Sequence, residues 1–348
     1  MWSGYRNTSM NKNFLSAFSP KEVGIDLGTT NSLVFVQGRG IVFNEPSIVA
    51  VSSKDEAIVA IGSDAREMIG RTPDSILARR PLQDGVVADY RATEAMIRHF
   101  IEQVSGTVRF KKPVVMISVP FGVTSTEQRA VIQATMKAGA RNAIIANEPL
   151  LAALGAGVSV HSSSGSMIVD IGGGTTDIAV IALGAIVASD SLRVGGEKLD
   201  LAIADFLRKS YNIAIGEHTS ETIKMRIASA LPEYHPLVMN VIGSALKTGL
   251  PQSITIDSNE IYEAIQGYLK DIVQAVKGVL RETPPELVAD IMEKGILLSG
   301  GCAHLKSLDL LLREETGVPV YVVEDPALCV TKGMGVAFKN LNNVSKVV

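Results

Sequence analysis

Val23-Gly24-Ile25-Asp26-Leu27-Gly28-Thr29-Thr30-Asn31 and Met167-Ile168-Val169-Asp170-Ile171-Gly172-Gly173-Gly174-Thr175-Thr176-Asp177 are two versions of one device. Each is an apolar, β-branched run carrying one Asp, then glycine and hydroxyl residues, then a second apolar run at 33–36 or 178–183. That pattern predicts a strand-turn-strand hairpin. Glycine lets the turn backbone come close to a ligand, and successive N–H groups make a concavity that attracts anions. An Asp at a strand end in an apolar setting is costly unless it meets a cation. Two facing hairpins would hold a polyphosphate, with Asp26 and Asp170 directed at its Mg²⁺ through water. The repetition implies a duplicated fold with the ligand between its halves.

Composition sets the frame. A chain of 348 residues is too long for one compact core and suits two large domains. Hydrophobic content of 46% against 20% charged residues argues for a well-buried globular protein. A net charge of −3 gives no overall reason to expect a nucleic-acid partner. The two cysteines, Cys302 and Cys329, form no paired framework, which suits a reducing, intracellular setting. The five histidines show no metal-binding spacing. The longest apolar stretch, 178–188, is too short to span a bilayer and is expected as buried strand. The N-terminus has no signal-peptide core; it is either a plain tail or a short amphipathic anchor presenting Phe14, Leu15 and Phe18 to a membrane.

Strand and helix signals alternate along the rest, predicting an α/β core built twice. A strand-rich stretch at 41–51 is broken at Asn44-Glu45-Pro46, and a short helix covers 64–68. Helices are expected at 92–104 and 125–138, with a buried strand at 114–119 between them. Loop 105–112 offers Val108 and Phe110 among three cations, either a tip touching anionic lipid or an ordinary surface loop. In the second half a long helix is expected over 261–281 and another over 303–315. The expected limits are an N-terminal tail 1–20, a first domain 21–150 with an insertion at about 44–83, a second domain 151–340 with an insertion at about 192–262, and a tail 341–348.

A third glycine element, Ser299-Gly300-Gly301-Cys302-Ala303, falls at an expected strand-to-helix junction, where a helix dipole and free N–H groups would face a ligand. Glu148 opens a helix with Pro149 beside it; it is either a stabilising charge at the helix N-terminus or the group that orients a water for in-line attack on phosphorus. Thr175 and Thr176 bind phosphate or that water, or simply shape the turn, and they complete the candidate catalytic set. Glu221 and Lys224 lie on a helix expected to be capped by Thr219 or Ser220. They form a surface i, i+3 pair or reach down to ribose and base. Gly195 and Gly196, in the loop after the second hairpin, join the candidate cofactor-binding residues.

This set resembles the actin-like ATPase superfamily, and within it the MreB/Mbl family of bacterial actins. The likeness is carried by residues 40–47, 70–73, 84–89, 169–176, 215–217, 283–287 and 324–326; the phosphate motif 169–176 is superfamily-wide and the others are more specific to this family. The resemblance implies a duplicated actin-like (ribonuclease H-like) fold, two domains around a nucleotide cleft, each with a mainly five-stranded sheet and a small insertion. It implies ATP and Mg²⁺ as cofactors, Asp26 and Asp170 as the Mg²⁺-associated carboxylates, and Gly28, Thr29, Thr30 and Asn31 with Gly172, Gly173 and Gly174 as phosphate loops. Glu148 matches the hydrolytic Glu, Glu221 and Lys224 the nucleoside contacts, and Gly300, Gly301, Cys302 and Ala303 the base-side loop. The chain departs from the family in Thr30-Asn31-Ser32, which is similar to chaperone ATPases, and in Cys302, where a third glycine is usual. The implied function is a weak ATPase coupled to self-assembly into filaments. They would lie peripherally at the inner face of the cell membrane, through residues 1–19, through Val108 and Phe110, or through both, and serve the cell-wall synthesis machinery. A chaperone-type ATPase, expected to carry a further substrate domain, or a small-molecule kinase would be the alternatives.

Overall fold

The computed structural model describes residues 21–68, 75–105 and 112–344. The candidate membrane contacts (Phe14, Leu15 and Phe18; Val108 and Phe110) lie outside them, as does segment 70–73. In the first half β1 (Glu22–Leu27), β2 (Asn31–Val36) and β3 (Gly40–Pro46) form an antiparallel meander. The chain then builds a three-stranded sheet from β4 (Val49–Ser52), β5 (Ile58–Ile61) and β6 (Ile76–Arg79), with α1 (Ser63–Met68) between the last two. A short pair, β7 (Leu82–Gln83) and β8 (Val86–Val87), leads back to α2 (Tyr90–Ser105), β9 (Val114–Val119), α3 (Ser125–Lys137), β10 (Asn142–Asn147) and α4 (Glu148–Gly155). The strand order β10-β9-β1-β2-β3 sets β9 and β10 parallel to β1.

The second half repeats this plan. Its meander is β11 (Ser166–Ile171), β12 (Thr176–Ala182) and β13 (Ala185–Leu192). Next come α5 (Gly196–Tyr211), β14 (Ile213–Ala214), α6 (Glu217–Ile227), β15 (Val238–Ala245) and β16 (Pro251–Asp257), whose three strands pair as β14-β15-β16. The long α7 (Ser258–Glu282) starts at a capping box in which Asp257 and Glu260 satisfy each other's backbone N–H groups. After α8 (Pro285–Lys294), β17 (Ile296–Ser299), α9 (Leu308–Thr316), β18 (Val320–Val322) and α10 (Cys329–Val344) complete the order β13-β12-β11-β17-β18. Both five-stranded sheets therefore run meander first, then two parallel strands. β12 is buried at every position, as expected of a strand covered on both faces.

Four local expectations are corrected. Asn44-Glu45-Pro46 belongs to β3, and the break falls after it, because Pro46 still pairs with Asn31 while Glu45 turns to accept from Ser63. The 178–188 stretch is two strands, divided where Leu183 and Gly184 both take positive φ. Helix α6 starts after Gly216, not at Thr219 or Ser220; the Ser220 hydroxyl bonds back to the Glu217 carbonyl within the helix. The 303–315 helix is a 3₁₀ turn at Gly301–His304 followed by α9, since Ser307 at φ 61° interrupts any continuous helix.

The two halves are tied by α4 and α10, which cross in backbone contact. A Cβ on Gly155 would lie 1.9 Å from the Cys329 carbonyl, and one on Gly333 1.9 Å from the Leu151 carbonyl. α10 then leans on the first sheet, with Met334 against Gly24 and Gly335 against Phe35. The crossing lies behind a deep cleft between the two sheets.

Candidate functional site

The sequence places one Asp near the end of each hairpin's first strand, and the fold brings both to the floor of a cleft of about 620 Å³. The two are held alike. Ser118, on β9 beside β1, donates to Asp26 at 2.7 Å; Ser299, directly opposite Asp170 on β17, donates to it at 2.6 Å. Thr331 adds a longer contact to Asp26 at 3.5 Å. Burial pushes Asp26 up to about 6, with both serine and threonine bonds opposing. It pushes Asp170 up to about 7, helped by the charges of Asp177 and Asp26.

Two more acids lie close by, Glu148 lining the cleft and Asp177 buried behind its floor. Glu148 opens α4 and lines the cleft; burial raises its carboxyl well above the usual range, and the charges of Asp177, Asp26 and Asp170 add to the effect. Asp177 is fully buried at the start of β12, and one of its oxygens accepts the Phe121 N–H at 2.9 Å across the halves. Its other oxygen is buried with no hydrogen-bond partner, and burial lifts its carboxyl to about 6. None of the four acids meets a lysine or arginine among the described residues. Such a set asks for a cation from outside. Among the described residues no three His, Cys, Asp or Glu side chains converge on one metal position. A hard cation held by Asp26 and Asp170 would therefore complete its shell with water and ligand oxygens, which fits Mg²⁺.

Above the floor the two glycine-hydroxyl turns touch. A Cβ on Gly173 would sit 2.0 Å from the Thr30 hydroxyl and one on Gly174 2.3 Å from the Thr29 hydroxyl, so only glycine permits this approach. Gly28, Thr29, Thr30, Asn31, Gly172, Gly173, Gly174 and Thr175 all line the cleft. Thr176 does not: it is fully buried and gives its hydroxyl to the Val194 carbonyl at 2.7 Å, so it fixes the turn and has no access to a ligand. Gly195 and Gly196 serve the second turn from behind. The Gly196 and Glu197 N–H groups donate to the Gly172 and Gly173 carbonyls at 3.0 and 2.8 Å, and only Gly196 also lines the cleft.

The third glycine element is here too. Gly300 takes φ 85°, Gly301 and Cys302 line the cleft, and the Cys302 thiol lies 3.3 Å from the Gly172 carbonyl. Ala303 is buried in the core. Because a 3₁₀ turn follows, there is no α-helix dipole at this point.

Glu221 and Lys224 both line the cleft but do not pair with each other. Lys224 donates to Asp200 at 2.7 Å and to the Gly196 carbonyl at 3.0 Å; Glu221 accepts from Arg66 of the first half at 2.6 Å. Burial pushes Asp200 up to about 6 against the pull of Lys224. Sequence reasoning missed Asp177, Asp200 and Ser118. An acid directly before the apolar run 178–182, inside β12, was the available signal for Asp177; the others gave none.

A family model described as MreB/Mbl protein matches residues 20–346. The chain is 46% identical over 326 residues to the cell shape-determining protein Mbl of Bacillus subtilis (strain 168), covering 94% of this chain and 98% of that one. It is 47% identical over 338 residues to the cell shape-determining protein MreB of Escherichia coli (strain K12), covering 96% and 97%. Among solved structures, MreB5 of Spiroplasma citri bound to ADP superposes with a TM-score of 0.89 at 36% identity, covering 94% of this chain and 99% of that one. The same protein bound to AMPPNP gives 0.89 at 35%, covering 95% and 99%. A MamK double helical filament subunit shares the fold, with a TM-score of 0.79 at 20% identity, covering 92% and 99%.

Proposed function

The chain belongs to the MreB/Mbl family, and on that premise we propose that it binds and hydrolyses ATP and polymerises into filaments that help determine cell shape by organising cell-wall synthesis. One observation carries the reading: Asp26 and Asp170, one from each half, line the cleft below two touching glycine turns with no basic residue among the described ones to neutralise them. The nucleotide-bound MreB5 structures are consistent with this use of the cleft.

Asp26 and Asp170 would hold Mg²⁺ through water. The ion would supply positive charge against the negative charge of the phosphates, which phosphoryl transfer needs. Backbone N–H groups of the turns at 28–31 and 173–174 bind phosphate oxygens, with the Gly172 N–H spent on the Thr175 carbonyl, and Thr29, Thr30 and Thr175 add hydroxyls. Glu148, at the cleft wall, orients the attacking water and accepts its proton. Its raised pKa falls as neighbouring acids are neutralised, which readies it only in the loaded cleft. Lys224 and Glu221 with Gly300, Gly301 and Cys302 face the nucleoside end.

Residues 21–150 and 151–340 act as the two domains, with insertions at about 44–83 and 192–262; the small sheets β5-β4-β6 and β14-β15-β16 support that division. Nucleotide state changes the angle between domains, and head-to-tail contacts between copies that do not close give a filament. No described helix is long and apolar enough to cross a membrane. Residues 1–19, or Val108 and Phe110, or both together provide peripheral contact at the inner face of the cell membrane. Titration calorimetry with ATP and Mg²⁺ on the full chain tests the cleft, and sedimentation with the same nucleotide tests polymerisation. Binding heat followed by pelleting is expected. Absence of binding heat overturns the nucleotide reading; binding without polymer overturns the filament reading.

A further inference from the structure

We propose that Arg80 and Glu197 form with Thr30 a positioning chain that couples closure of the cleft's outer lip to occupancy of the phosphate pocket, and so sets how fast nucleotide leaves. The proposal rests on the nucleotide reading above. Arg80, just after β6 in the first half, reaches two helix starts in the second. One terminal nitrogen lies 3.1 Å from Glu197 Oε1, and the other donates to Glu217 Oε1 at 2.9 Å. A planar guanidinium fork suits two acceptors in this way; an ammonium does not.

The same Glu197 oxygen that meets Arg80 accepts the Thr30 hydroxyl at 3.4 Å. Thr30 belongs to the first phosphate turn and lies against Gly173 of the second. Glu197 is also fixed from behind, because its N–H is bonded to the Gly173 carbonyl at 2.8 Å. One carboxylate is thus shared by a lip cation and a phosphate-turn hydroxyl, and its backbone is anchored to the other phosphate turn. Two further contacts cross the same opening: Arg66 to Glu221 at 2.6 Å and Lys198 to Asp84 at 4.0 Å.

A hydroxyl has one proton to give. With the pocket empty, Thr30 gives it to Glu197. A phosphate oxygen that takes this proton leaves Glu197 dependent on Arg80, and the lip pair tightens. By reciprocity of binding free energies, the closed lip then retains the phosphate by the same factor. The Arg80 and Glu197 side chains are 28% and 22% exposed, so solvent screens this pair less than a fully exposed one.

Stopped-flow release of methylanthraniloyl-ATP from the Mg²⁺-loaded full chain tests this. Arg80→Ala should speed release roughly tenfold while leaving the association rate unchanged, and Arg80→Lys should restore only part of the retention. Glu197→Gln should also speed release, and the double variant should be no faster than the faster single one. Release from the unaltered protein should accelerate with ionic strength, and Arg80→Ala should lose most of that dependence. Unchanged release in Arg80→Ala, full additivity of the two variants, or release from the unaltered protein that ignores salt would each overturn the proposal alone. An unaltered protein that binds no nucleotide removes the underlying reading as well.

Discussion

The floor and the lip of the cleft hold acids in opposite electrical condition. At the floor and just around it, Asp26, Glu148, Asp170 and the buried Asp177 have hydroxyl or backbone N–H neighbours but no basic partner among the described residues, and all four carboxyls are pushed up by burial. At the lip, Asp84, Glu197, Glu217 and Glu221 each face Arg66, Arg80 or Lys198 from the opposite half. The lip is electrically complete within the chain. The floor is complete only when something cationic arrives, so ligand chemistry belongs to the floor and closure to the lip.

The largest effect should come from Asp170→Asn. It should lower Mg²⁺-dependent ATP affinity about a hundredfold in calorimetry, yet raise the thermal midpoint of the nucleotide-free protein by a few degrees, because one of several crowded buried charges is gone. Glu221→Gln at the lip should change affinity only a few-fold; a loss equal to that of Asp170→Asn would erase the contrast between the two regions. Next in size, Glu148→Ala should keep ATP binding while phosphate release slows at least about tenfold in a coupled assay. An unaltered rate would return Glu148 to the role of a helix N-terminal charge.

The smallest effect concerns pH. Asp26 and Asp177 at about 6 and Asp170 at about 7 all lie above their unfolded values, so the folded chain binds the extra protons between roughly pH 4 and 7. Stability from these groups is present below that window and is lost as pH rises through it. Scanning fluorimetry should show the nucleotide-free midpoint falling by a few degrees from pH 5 to pH 8, and ATP with Mg²⁺ should flatten the slope. A midpoint that rises over this range would mean the floor is already neutralised.

Much of this was legible in the residues. The two hairpins announced themselves because a β-branched run, one Asp and a glycine turn form a contiguous local signal, and their repetition implied two matching sheets. Glu148 was visible as an acid at a helix start, but its neighbours were not, since Asp177, Asp26 and Asp170 gather only through long-range strand pairing. The Glu221–Lys224 choice could not be settled locally: the winning partners, Arg66 and Asp200, come from elsewhere in the chain. Thr175 and Thr176 look equivalent in sequence, yet strand alternation turns one to the cleft and the other to Val194. The helix expected over 303–315 was started too early because apolar spacing continues smoothly past Ser307, whose left-handed backbone no periodicity reveals.

The crossing of α4 and α10 has a consequence for the order of events at the ribosome. Phe35, Gly24 and Met116 of the first sheet pack in a cluster with Met334 and Phe338, which emerge long after them. A nascent chain that has completed both meanders still leaves one apolar side of its earliest strands uncovered until residues 329–340 are available. The first meander is thus finished by a helix made much later, and an internal stop just before residue 329 should yield a sticky, chaperone-dependent fragment even though every residue of the cleft's two phosphate turns is present.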